Sequence, residues 1–290
     1  MEQEFEKLLN TLVASTRSPK GQYSKANSWL LLEKRLPHLH IQTLVWRITA
    51  TAALIATICA LSWWMYNTFV PIPLQTISTL AETRTVLLPD QTKVILNHFS
   101  SLTYPKEFKS QDRKVKLQGE AYFEVTKDAS HPFKVEAEAV MVQVLGTHFN
   151  VEAYPKDIQI KTTLLEGSVA INLIGKTNNR IILVPNESAI YNKIEKKLTR
   201  CTEKNASEKI DWCNGMLLFE NTPMQEIARR LSNIYHTRIQ ITDTHIQNYR
   251  MTATFSTDES LDEVLSLLCR NQKFKYKKTN NTIIITQKLN

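Results

Sequence analysis

The chain has 290 residues, 42% of them hydrophobic, and a formal net charge of +8. That is room for about two domains with real cores, and six glycines are too few for Gly-rich disorder. The basic residues are scattered, with small knots at Lys196–Lys197 and Lys275–Lys278. No long basic run is interleaved with aromatics, so direct nucleic-acid binding is not expected.

At the amino terminus Phe5, Leu8, Leu9, Leu12 and Val13 recur at the spacing of one helical face. A break at "RSPKG" follows. Ser24 to Leu36 then reads as a second short helix, with Trp29, Leu32 and Leu36 on one side and Pro37 ending it. Two amphipathic helices in so short a stretch cannot bury their apolar faces against each other alone. They call for a partner: the membrane surface, another copy or a different protein. Phe5, Leu8, Leu9, Leu12 and Trp29 are the candidate docking side chains.

From Ile48 to Tyr66 the chain carries no charge. At about 1.5 Å per residue this nearly matches a bilayer core, so the run predicts a membrane-spanning helix over residues 44–66. Arg47 can snorkel to the headgroups, and Trp46, Trp63, Trp64 and Tyr66 mark the two interfaces. Lys34, Arg35 and Arg47 precede the run, and the next charged residue after it is Glu82. The Lys/Arg excess puts the amino terminus inside and the remainder outside. No small-residue cleavage site follows, so an uncleaved anchor is expected rather than a signal peptide. Residues 67–81, uncharged and with two prolines, read as an extended linker.

Residues 82–200 alternate as β-strands. Gly119, Gly146 and Gly167 interrupt three of the alternating runs, which predicts bends or close backbone approaches. The domain should be all-β, a bent sandwich or a short solenoid. In "LQGEAYFEV" Ala121, Phe123 and Val125 share one face, and Glu120, Tyr122 and Glu124 share the other. The acid-bearing face is expected to be wet, its charges serving solubility and edge protection.

Residues 201–214 read as a second linker and residues 215–290 as an α+β domain of repeated βαβ units. Met224, Ile227, Ala228, Leu231 and Ile234 form one helical stripe, and Leu261, Val264, Leu265 and Leu268 repeat it, each unit opening on a phenylalanine, Phe219 or Phe255. Thr222 with Gln225, and Ser256 with Glu259, have capping-box spacing. Cys59 falls in the span. For Cys201 and Cys213 a disulfide and free thiols are both open, and Cys269 stands apart.

The sequence contains no P-loop, G-x-S-x-G, H-E-x-x-H, S-x-x-K or C-x-x-C. "HLH" at residues 38–40 has metal-like spacing, but no further ligand lies near it. No catalytic residue, metal ligand or cofactor is assigned, and an enzyme is not expected.

"TVLLPDQTKVILNHFSSLTYP", "RKVKLQGEAYFEV", "HPFKV", "VLGTHFNVEAY" and "LLEGSVAI" follow one another as in the periplasmic domain of FecR-like anti-sigma factors of the Bacteroidetes type. The resemblance covers about residues 82–191. Residues 215–288 resemble the C-terminal companion domain, similar to the secretin and TonB short N-terminal fold. The resemblance implies an inner-membrane protein with a cytoplasmic, sigma-factor-docking tail over residues 1–43 and periplasmic domains outside. It implies three kinds of partner: an extracytoplasmic-function sigma factor, the periplasmic signalling domain of a TonB-dependent outer-membrane receptor, and regulatory proteases near the membrane. The regulated genes would serve iron or glycan uptake. Two features depart from the family: Gln91 stands where Gly usually follows "LPD", and the inner tail is short. A membrane-anchored enzyme acting on envelope polymers and a structural adaptor of an envelope assembly are the competing readings.

Overall fold

The structure is a computed structural model, and it describes residues 3–4, 6–7, 10–11, 34, 41–69, 72–109, 111–176, 180–270, 274–280 and 282–288. The chain divides into two compact units, residues 1–71 and 72–290.

In the first unit a long helix, α1, runs from Ile41 to Phe69. Its stretch Trp46–Tyr66 is long and apolar enough to cross a membrane, and none of it is buried within the protein. The hydroxyls of Thr49, Thr51 and Thr57 donate to backbone carbonyls three or four residues earlier, at 2.8–3.1 Å. Such bonds remove the cost of an unsatisfied hydroxyl in lipid.

The second unit begins with a two-layered β module joined by one long strand, β5 (Arg113–Glu124). Its first half pairs with β4 (Ser101–Pro105) and, in parallel, with β6 (Phe133–Ala137). Its second half pairs with β3 (Lys93–Leu96) and β8 (His148–Ala153). The first sheet extends through β7 (Val140–Val144), β10 (Val169–Leu173) and β11 (Ile181–Leu183). The second extends through β9 (Gln159–Glu166), β12 (Glu187–Asn192) and β13 (Lys197–Thr202). The layers face each other: Phe123 stacks on Phe149 at 5.0 Å between ring centroids and meets Phe133 of the first sheet at 6.1 Å. This is the bent sandwich, and the alternation of Val115, Leu117, Ala121, Phe123 and Val125 is its inward face.

The bend falls at Gly119, with φ of +97°. A Cβ there would lie 2.7 Å from the Cα of Ser100, so both the dihedral and the space call for glycine. Gly146 and Gly167 flank the ends of β8 and β9 in the same tight way, against Lys127 and Thr147. The β8–β9 register slips between His148 and Phe149, where Leu165 of β9 is the extra residue.

Both expected linkers prove to be partly structured. Residues 74–78, inside the expected 67–81 linker, form β1 (Leu74–Ser78), which pairs with β4. Residues 206–214, inside the expected 201–214 linker, form a 3-10 helix capped by Asn205 and closed by Gly215. Its Trp212 is fully buried. Neither segment has a sequence period long enough to announce itself.

The C-terminal module runs β14 (Met216–Pro223), α2 (Met224–Ile234), β15 (Arg238–Ile241), α3 (Thr244–Asn248), β16 (Arg250–Ser256), α4 (Leu261–Arg270), β17 (Phe274–Thr279) and β18 (Thr282–Gln287). The strand–helix–strand order recurs, but the units do not close as βαβ. β14 pairs with β16, while β15 and β17 both join β18 in another sheet. The two opening phenylalanines, Phe219 and Phe255, therefore meet, 6.2 Å apart. Both helical stripes are inward-facing, with only Leu261 partly exposed.

Candidate functional site: the seam between the two modules of the second unit

Within the second unit the C-terminal module lies on the outer face of the second sheet. On β5 the residues pointing that way are Glu120, Tyr122 and Glu124. The wet-face expectation fails for the first two: Glu120 and Tyr122 are each 7% exposed. Nor is β5 an edge, since it pairs with four strands. Tyr122 belongs to the core cluster of the C-terminal module, and Ile95 and Leu165 pack there with it. Burial pushes its hydroxyl up to about 12.

Around this apolar patch the seam is ionic. Helix α2 places Arg229 against the β module. Its Nη2 donates to Glu152 Oε2 at 2.8 Å and to Glu226 Oε1 at 2.6 Å, its Nε to Glu226 Oε2 at 2.8 Å, and its Nη1 to Asp157. Asn233, one turn on, donates to the same Asp157 oxygen at 2.9 Å. One guanidinium thus binds two carboxylates of the β module and one of its own helix. Burial alone would raise the Glu152 carboxyl, but the charges of Arg229, Lys161 and Arg230 outweigh it and hold the group down to about 2. At Asp157 burial wins and its pKa is raised, Arg229 and Asn233 opposing only in part.

Glu120 is the counterpart: among the described residues no cation is in contact with it. Its oxygens accept from Asn97 Nδ2 at 2.7 Å and Asn150 Nδ2 at 2.8 Å. Burial, reinforced by the charge of Glu152, pushes it up to about 7 against the weaker pull of Arg230 and the two amides. Further along, Lys161 holds Glu203 at 2.7 Å, and Ser188 and Thr163 continue the hydrogen-bonded chain. At the other end Phe99 stacks on His236, with centroids 4.6 Å apart.

Sequence reasoning singled out Glu120 for a different role and passed over Glu152, Asp157 and Arg229. A signal was present: Tyr122 beside Phe123 makes both faces of β5 apolar-bearing, which is the mark of a strand buried on two sides.

The other assigned residues fall elsewhere. Trp46 and Arg47 lie near the start of the apolar stretch of α1 and Trp63, Trp64 and Tyr66 at its end, all exposed. The docking candidates Phe5, Leu8, Leu9, Leu12 and Trp29 lie outside the described residues. Cys201, Cys213 and Cys269 carry free thiols. Elsewhere in the β module a concavity of about 420 Å³ opens beside Phe108, Lys109, Arg113 and His131. The Arg113 guanidinium there bridges Asp90 at 2.7 Å and the carbonyls of Thr126 and His131.

The fold and seam define a protein with one long apolar helix and a second unit that couples a β sandwich to a small α+β module. Two family models match these modules: the FecR protein model over residues 75–170 and the FecR C-terminal model over residues 216–285. Two crystal structures of a candidate anti-sigma factor from Parabacteroides distasonis are similar. One superposes with a TM-score of 0.64 at 29% identity, covering 73% of this chain and 99% of that one. The other gives 0.63 at 30% identity, covering 74% and 99%. No curated protein matches the chain. The chain belongs to the FecR family.

Proposed function

We propose that this protein is a single-pass anti-sigma factor that carries a signal from the periplasm to a sigma factor in the cytoplasm. The reading rests most on one observation: an identity of 30% over nearly the whole of a candidate anti-sigma factor, in a chain that also holds one helix long enough to span a membrane. Lys34, Arg35 and Arg47 before the span favour an inner-membrane orientation with the amino terminus inside. In that orientation the stripe of Phe5, Leu8, Leu9 and Leu12, with Trp29, docks an extracytoplasmic-function sigma factor.

Outside, the two modules receive the periplasmic signalling domain of a TonB-dependent outer-membrane receptor. The sigma factor then switches genes for iron or glycan uptake, and regulated proteolysis near the membrane completes release. No catalytic step is assigned to the protein itself.

The test is co-purification. Full-length protein is isolated from membranes, and the polypeptides that accompany it are identified by mass spectrometry. A sigma factor is expected, and it should be lost on Leu8→Asp with Leu12→Asp. Its retention by that double variant would remove the docking stripe, and its absence from the wild type would remove the proposal.

A further inference from the structure

The covered face of the second sheet is composed like a solvated surface. Apart from Ile95, Tyr122 and Leu165, and Phe99 from the turn at its end, what this face and the β8–β9 loop offer the C-terminal module is polar: Asn97, Glu120, Asn150, Glu152 and Asp157. Ion pairs that separate whole return both partners to water, so the attraction lost is largely offset by hydration regained. Contacts of this composition between domains of one chain permit relative motion.

The connection suits it as well. The last backbone-to-backbone hydrogen bond tying the chain to the β12–β13 hairpin is Glu203 N to Asn186 O, at 2.8 Å, and beyond it only Ala206 N donates, among the described residues, to Asn186 Oδ1 at 3.3 Å. The 3-10 helix that follows sends Trp212 into the core of the C-terminal module.

We propose that the C-terminal module is a detachable cover, which swings off the outer face of the second sheet as an intact body about residues 203–206, with Arg229 as its latch. The module keeps its own core when it leaves: the stripes of α2 and α4, Trp212, Phe219 and Phe255 all pack among themselves. What it uncovers is the carboxylate-bearing face of β5 and β8. The cover works in the same way whichever protein the inner tail binds.

Two native thiols distinguish opening from unfolding. Cys213 lies in the seam: it packs on the C-terminal core, and the charges it feels are those of Glu120, Glu124 and Lys93 of the β module. Cys269 is buried inside the C-terminal module itself, near Lys288. Full-length protein in detergent micelles is treated with a thiol-alkylating reagent, and modification at each cysteine is followed by mass spectrometry. In Arg229→Ala, Cys213 should react at least tenfold faster than in the wild type while Cys269 keeps its rate. In the wild type, Cys213 should become reactive at urea concentrations that leave Cys269 protected, a series that decides the matter if the variant does not fold. Release of both thiols together in the urea series, or an unchanged Cys213 rate in a folded Arg229→Ala, overturns the proposal.

Discussion

Gln91 occupies a backbone position made for glycine. Its φ is +66°, in the turn closed by hydrogen bonds between Leu88, Gln91 and Thr92. A side chain in that region costs about 1–2 kcal/mol. Gln91→Gly should therefore stabilise the β module by about 1 kcal/mol, seen as a rise of a few degrees in melting temperature; a fall would mean that the side chain earns its place through contacts. The reverse holds at Gly119. Gly119→Ala forces a Cβ to within 2.7 Å of the Ser100 backbone at an unfavourable dihedral. A loss of more than about 2 kcal/mol is expected, measured by urea unfolding. Glu120 supplies a pH dependence. Its pKa rises from 4.5 to about 7 in the covered state, so that state holds its proton more tightly than the open or unfolded chain. Stability from this group is full below pH 4.5 and is lost as the pH climbs through about 7. Glu152 runs the other way, its contribution present above 4.5 and lost as the pH falls toward about 2. The charged groups bearing on Glu120 are Glu152 and Arg230, with Asn97 and Asn150 in contact. The urea midpoint should be higher at pH 5 than at pH 8, and Glu120→Gln should raise the pH 8 value and flatten the difference. An unchanged slope in that variant would assign the dependence to other groups.

At the scale of elements, α2 carries most of the seam. Arg229→Ala leaves Glu152 and Asp157 buried without their cation, a situation that costs about 3–5 kcal/mol where a buried pair is broken by removing one partner. Denaturant unfolding of the second unit should show a loss of at most that size, smaller to the extent that opening of the cover returns both carboxylates to water. Arg229→Lys, a point charge in place of a fork, should recover only part of it. The helix itself was readable in advance: Met224, Ile227, Ala228, Leu231 and Ile234 lie on one side and are buried. Its start was not. Thr222 and Gln225 match a capping box, yet the N-cap is Pro223, without a side-chain bond. In "STDESLDE" two overlapping boxes compete. Between Ser256 and Glu259 only Ser256 N to Glu259 Oε1, at 3.2 Å, is a side-chain bond, but α4 begins at Leu261, where Ser260 and Glu263 exchange bonds. Local spacing cannot choose between them, because the choice is made by where the apolar stripe meets the core. The same limit hid the seam. Alternation along β5 says that its two faces differ; it does not say that a second module covers the polar one.

For the whole molecule the account needs the inner tail and the outer unit on opposite sides of one membrane. The apolar run, its aromatic ends and the charge asymmetry were all legible in the sequence, because a bilayer imposes length and composition on a single segment. The arrangement of β5 between two sheets and a cover was not, because it depends on contacts between residues far apart in the chain. The most direct test is a topology measurement on the full-length protein in bacterial membranes, with a reporter at the carboxyl terminus that is active only outside the cytoplasm. The account predicts an active reporter in the membrane fraction, with the amino-terminal tail protected from protease added from the periplasmic side. A reporter that stays inactive and cytosolic, or a chain recovered in the soluble fraction, contradicts it.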